Sequence, residues 1–114
     1  MIGLQFGAKW TAGTGMTENG LCIDGRIDKI GEDVDFAYDR TDFTRPWRLT
    51  TRSRRVDLEF QPCFEKRTTV DLGLVSSRLH LCFGHFSGLV VGGDGRRYPI
   101  ERQVGWCEEM RARW

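Results

Sequence analysis

The sequence predicts an all-β, antiparallel chain, and three observations carry that expectation. Apolar residues recur at every second position through most of its length. Turn-forming dipeptides interrupt these runs about every ten residues, the spacing of a β meander. No long segment of helical period lies between the runs. The expected architecture is a meander of about eight strands forming a barrel or half-barrel.

The first run places Ile2, Leu4, Phe6, Ala8 and Trp10 on one face, with Gly3, Gln5, Gly7 and Lys9 on the other. Leu21-Cys22-Ile23 and Ile27 flank Asp24-Gly25, a strong two-residue hairpin signal. Val34, Phe36 and Tyr38 alternate next. An irregular connection over 39–45 follows, ending at Pro46. Ser53-Arg54 separates the segment from Trp47 to Thr51 from Val56, Leu58 and Phe60, which alternate cleanly with Asp57, Glu59 and Gln61. Val70, Leu72 and Leu74 form the next run, then Leu79, Leu81 and Phe83. Phe86 has the opposite parity to Phe83, with Gly84 between them, which predicts a bulge or bend at Gly84. Gly92-Gly93-Asp94-Gly95 predicts a hairpin, and Pro99 in the run with Tyr98 and Ile100 suits an edge strand. Trp106, Met110 and Trp114 are spaced by four, which predicts a short C-terminal helix, with Glu108 and Glu109 near its start and Arg111 and Arg113 near its end.

The 114 residues predict a single domain spanning 1–114. Hydrophobic residues at 39% and charged residues at 29% give the composition of a folded chain rather than a disordered one. No apolar run is long enough for a membrane helix, and Met1-Ile2-Gly3-Leu4-Gln5 lacks the pattern of a secretion signal, so a cytoplasmic protein is expected. Arg45, Arg48, Arg52, Arg54 and Arg55 cluster, but 16 acidic residues balance 17 basic ones. No aromatic platform interleaves the arginines, so nucleic acid is not expected as a partner.

Cys22, Cys63, Cys82 and Cys107 contain no C-x-x-C pair, and each is expected to sit among apolar neighbours. They read as thiols packed like small hydrophobes rather than as a disulfide framework or a zinc site. His80 and His85 are separated by an odd number of positions and make a poor pair of metal ligands, so no metal or cofactor is expected. His80 reads as an outward-facing polar residue, His85 as a polar residue at a barrel rim or lumen. Gly13-Thr14-Gly15 precedes no helical pattern and is not a phosphate loop.

Several segments, in this order, resemble a known family: Thr17-Glu18-Asn19-Gly20 and Asp24-Gly25, Pro46-Trp47, the segment from Val56 to Pro62, Ser76-Ser77-Arg78-Leu79-His80, and Phe83-Gly84-His85-Phe86-Ser87-Gly88, with a closing segment from Glu108 to Trp114. Together they are similar to the C-terminal part of the bacterial domain-of-unknown-function family 2804. That family is distantly similar to the lipocalin-like group containing hydroxyneurosporene synthase. The resemblance implies a lipocalin-like barrel built, in longer members, of two related halves. It implies no reaction and no catalytic residue. The chain would correspond to the second half, so a homodimer, or association with a separately encoded N-terminal half, is expected.

Small barrels of this kind hold one small ligand in the lumen. The candidate pocket residues are Phe6, Trp10, Trp47, Phe60, Phe83 and Phe86, and the expected ligand is an apolar or amphipathic small molecule such as a lipid or isoprenoid. The alternative is an enzyme of the hydratase, isomerase or cyclase type. It would need a carboxylic acid inside the pocket, and Glu18 with His85 are the candidates. A structural half-barrel requiring a partner is the third reading.

Overall fold

The computed structural model of the chain describes residues 1–7, 19–73 and 76–113. Every regular element among them is a β-strand. The strands are β1 (Ile2–Gln5), β2 (Gly20–Ile23), β3 (Arg26–Lys29), β4 (Asp35–Ala37), β5 (Trp47–Thr50), β6 (Val56–Asp71), β7 (Ser76–Val91) and β8 (Arg97–Arg113). They form a three-stranded sheet in the order β1-β2-β3 and a five-stranded sheet in the order β4-β5-β6-β7-β8. Every pairing is antiparallel. Among the described residues the sheets do not close into a barrel; the result is an open, half-barrel meander.

The hairpins follow the turn chemistry of the sequence. Asp24 and Gly25 have φ of 48° and 82°, the doubly left-handed turn whose twist matches two antiparallel strands. Gly95 (φ 82°) donates its N–H to the Gly92 carbonyl at 3.0 Å and turns β7 into β8. Arg54 (φ 66°) plays that part between β5 and β6, its N–H on the Thr51 carbonyl at 3.0 Å. Asp39 accepts from Thr41 N–H at 2.8 Å, and Asp42 from Thr44 N–H at 3.0 Å. These two side-chain turns shape the connection from β4 to β5 and deliver Phe43 to the core.

The core is one cluster in which Leu21 and Ile23 from the smaller sheet and Ile30 just after β3 meet Trp47, Leu49, Val56, Leu58, Phe60 and Val90 from the larger one. Trp47 satisfies its indole N–H on the Phe43 carbonyl at 2.9 Å. Buried Asn19 accepts from Gly7 N–H and donates to the Glu32 carbonyl, each at 2.8 Å.

Two expectations from the sequence are corrected. The C-terminal segment is not a helix: β8 runs in register with β7 from Val91↔Arg97 to Ser76↔Arg113. Pairing satisfies the backbone of both strands along this length, and it overrides the four-residue spacing of Trp106, Met110 and Trp114. Trp114 lies outside the described residues, as does Leu74. The bulge is also displaced. The irregularity beside Gly84 is on the partner strand, where Cys63 is the extra residue between Pro62↔Gly84 and Phe64↔Phe83. A second irregularity sets Ser87 against Glu101 and Arg102, with Arg102 at φ 47° and Gly88 at φ 142°. Gly84 is required for a different reason. A Cβ there would lie 2.0 Å from the Gln61 carbonyl oxygen, so β6 and β7 cross too closely for any side chain.

Candidate functional site

Between the two sheets lies an open groove of about 1110 Å³. Alternation along the strands decides what faces it. In β7 the inward residues are His80, Cys82, Gly84 and Phe86, and the register carries that face onto Phe60, Glu65, Gln103, Cys107 and Glu109. Phe86 lies across Gly105, where a Cβ would stand 2.8 Å from the ring, so the glycine in β8 makes room for the aromatic wall. Trp47, whose ring stacks 4.3 Å from Tyr38, and Phe36 continue the wall, and Phe6 closes one end.

Of the candidate pocket residues, Phe6, Trp47 and Phe86 line this groove. Phe60 is fully buried beneath it, its ring centroid 4.6 Å from Phe86 and 6.2 Å from Trp47. Phe83 points to the opposite face, where it is exposed and packs on Phe64 at 6.3 Å. His85 shares that outer face, its Nδ1 3.4 Å from the Cys63 thiol. A switch of parity at Gly84 would put Phe83 and Phe86 on one inward face, with His85 at the rim or lumen. The even-numbered face instead stays inward throughout. Trp10 and Glu18 lie outside the described residues.

The polar groups in and beside the groove are different ones. Glu109 is a buried carboxylate, only 6% exposed, and accepts a hydrogen bond from the Tyr38 hydroxyl. Tyr38 directly follows β4 and Glu109 lies on β8, so this contact links the two outer strands of the five-stranded sheet across its concave side. Next to it in register, His80 is paired with Glu109 on β8 and Arg67 on β6. His80 Nδ1 is 3.0 Å from Glu65 Oε1, and its ring stacks on Phe43 at 4.1 Å. His80 is therefore a half-buried inward residue and not the outward one its position suggested.

The electrostatics follow from these contacts. Arg67, whose Nε donates to Glu65 at 2.8 Å, and then His80 hold the Glu65 carboxyl below its ordinary range. Burial pushes the thiols of Cys82 and Cys107 upward, which disfavours the thiolate in both. They face each other across β7 and β8 as free cysteines, with the Cys82 thiol 3.5 Å from the Phe43 carbonyl. Chemically the groove offers an aromatic wall and a buried carboxylate–phenol pair; the carboxylate–imidazole pair of Glu65 and His80 lies beside it under Phe43. Among the described residues, no group of three or more His, Cys, Asp or Glu side chains is arranged to hold a metal ion.

Sequence reasoning missed Tyr38, Glu109, His80 and Glu65 as site residues. Glu109 was assigned to the first turn of a helix. The available signal was the alternation of Gln103, Gly105, Cys107 and Glu109, which becomes visible only once the segment is read as a strand.

No helix among the described residues is long and apolar enough to cross a membrane. No curated protein and no solved structure significantly matches the chain. One family model, described as Domain of unknown function (DUF2804), matches residues 1–114, and the chain belongs to that family.

Proposed function

We propose that the groove binds an apolar or amphipathic small molecule, a lipid or isoprenoid, in the manner of a lipocalin-like binding module. The observation that supports this reading is the aromatic wall of Phe36, Trp47 and Phe86 in an open groove of about 1110 Å³, with the Tyr38–Glu109 pair at one side. Ligand sites combine this much apolar surface with a few fixed polar groups. The apolar body of the ligand lies on the wall and its polar end meets the pair. A cytoplasmic setting goes with this reading, and the unbridged thiols of Cys82 and Cys107 suit it. Native mass spectrometry of protein purified from its host tests the proposal. A co-purified lipid that is retained by the parent and lost in Phe86→Asp supports it. Bare protein that takes up no fatty acid or isoprenoid alcohol on titration defeats it.

A second reading has its own observation. A carboxylate as buried as Glu109, hydrogen-bonded to a phenol, is the kind of group that moves protons in an apolar site. It supports an isomerase, hydratase or cyclase acting on the same ligand class, with Glu109 and Tyr38 in the roles first assigned to Glu18 and His85. Glu109→Gln separates the readings. Under the enzyme reading it retains ligand and loses turnover; under the binding reading no turnover exists to lose.

A further inference from the structure

The four cysteines divide by exposure. Cys82 and Cys107 are buried and Cys22 is half-buried. Cys63 is exposed, which departs from the packing among apolar neighbours that the sequence predicts for all four. It is also the extra residue of the bulge in β6. Before the bulge the buried residues of β6 are the even-numbered Val56, Leu58, Phe60 and Pro62; after it the inward residue is Glu65, on His80. The bulge therefore turns two consecutive side chains to the outer face, where Cys63 meets His85 and Phe64 meets Phe83.

The Cys63 thiol and the His85 imidazole make a nucleophile and a base in contact. Sγ lies 3.4 Å from Nδ1, and in the tautomer that leaves Nδ1 bare the thiol donates to it. An imidazole so placed takes the thiol proton as the sulfur attacks, which is how cysteine nucleophiles are activated. His85 sits on a strand paired on both sides, opposite Gln61 of β6 and Val104 of β8, so the ladder fixes the backbone that carries the base. The pair stands on the face opposite the groove and shares no residue with the Tyr38–Glu109 site.

The surroundings of the thiol select the electrophile. Phe64, Phe83 and Trp106 are register partners and form one exposed row across β6, β7 and β8, beginning at the residue next to Cys63. Val104, also exposed, extends the row beside His85. Strands about 4.8 Å apart give such a row a length of roughly 10 Å. Laid along it, an alkyl chain and the aromatic rings shield each other from water.

We propose that Cys63 is an S-acylation site, at which the chain takes a long acyl group from a fatty acyl thioester with His85 as the base. His85 removes the thiol proton and the Cys63 sulfur attacks the thioester carbonyl. A new sulfur–carbon bond forms, the bond to the donor's sulfur breaks, and the departing thiolate takes the proton back from His85. One thioester is exchanged for another, so no oxidant or reductant is consumed. The acyl chain then lies over Phe64, Phe83 and Trp106. This reaction does not require a ligand in the groove, so its outcome is read separately from that of the lipid-binding proposal.

The test is intact-mass measurement of the full chain incubated with palmitoyl-coenzyme A and, separately, with acetyl-coenzyme A. The expected product carries one palmitoyl group, is reversed by neutral hydroxylamine and maps to Cys63. Cys63→Ser should abolish it. His85→Asn, with the circular dichroism of the chain unchanged, should slow acylation about tenfold or more with both donors, because a positioned base contributes at least that much. Trp106→Ser should slow the palmitoyl donor about tenfold and leave the acetyl donor unchanged, because only the long chain covers the row. Acylation that maps to Cys22, or that runs equally fast in His85→Asn, would overturn the pair as the reacting groups. A palmitoyl donor no faster than the acetyl donor would overturn the role of the aromatic row and with it the assignment of a long acyl group. Absence of acylation with both donors would overturn the proposal as a whole.

Discussion

Strands β6, β7 and β8 each pass through two environments. In the first, from Val56 to Phe60 with its partners from Phe86 to Val90, the sheet is covered on one face by the core and flanked by β5. In the second, from Phe64 to Asp71 with partners from Ser76 to Phe83, β5 has ended and most side chains of β6 are exposed. Phe64 is 61% exposed there and Trp106 63%. Yet the ladders run through both, interrupted by the Cys63 bulge between β6 and β7 and by the irregularity at Ser87 between β7 and β8. In the first region side-chain burial selects the register. In the second the backbone ladder carries the pairing, and the few inward contacts, Phe43 over His80 and Cys82, are supplied by a loop.

That contrast can be broken or sharpened by substitution. The largest effect is expected at Phe60, fully buried between Trp47 and Phe86. Phe60→Ala should cost about 3–5 kcal/mol in urea unfolding, whereas Phe64→Ala, one bulge further on, should cost less than about 1 kcal/mol. Equal costs would erase the distinction between the two regions. Next comes the crossing point. Gly84→Val forces a side chain into the Gln61 carbonyl and should lower stability by about 2 kcal/mol or more, despite the higher strand propensity of valine. An unchanged melting temperature would show that the strands separate there at no cost.

A smaller effect is expected from acid. Because Arg67 and His80 depress the Glu65 carboxyl in the folded chain, this group contributes stability above the ordinary carboxylate range. The contribution is lost as the pH falls through the depressed folded value. Glu65→Gln should therefore flatten the stability curve on its acid side and leave its shape near neutrality unchanged. An acid limb of equal slope in parent and variant would remove Glu65 from the account. The smallest effect is chemical rather than thermodynamic. Cys63, exposed at the bulge, should react with a thiol reagent in the native protein, while Cys82 and Cys107, held protonated by burial, should react only on unfolding. Fast native labelling of Cys107 would mean that β8 opens readily from β7.

The same division explains what could be read early. Where apolar alternation coincides with burial, as at Leu21 and Ile23 or Val56, Leu58 and Phe60, the inward face was legible from residue order. Where the strands leave the core, the apolar residues Phe83, Trp106 and Val104 point outward and the parity misleads. For this reason residue order misplaces Phe83 and His85, and a helical period in the C-terminal segment hides Glu109.

By itself the sequence determined the all-β class, the turns at Asp24-Gly25 and around Gly95, and the burial of Cys82 between its apolar neighbours, because each depends on local conformational preference or on composition. Tertiary structure decided which face of β7 and β8 turns inward, that the C-terminal residues extend as a strand, and that Tyr38 meets Glu109 across 71 positions of chain. These outcomes depend on cross-strand register, and register is settled by partners distant in sequence: the glycine crossing at Gly84, the bulge at Cys63, and the hydrogen bonds that β7 offers along the whole of β8.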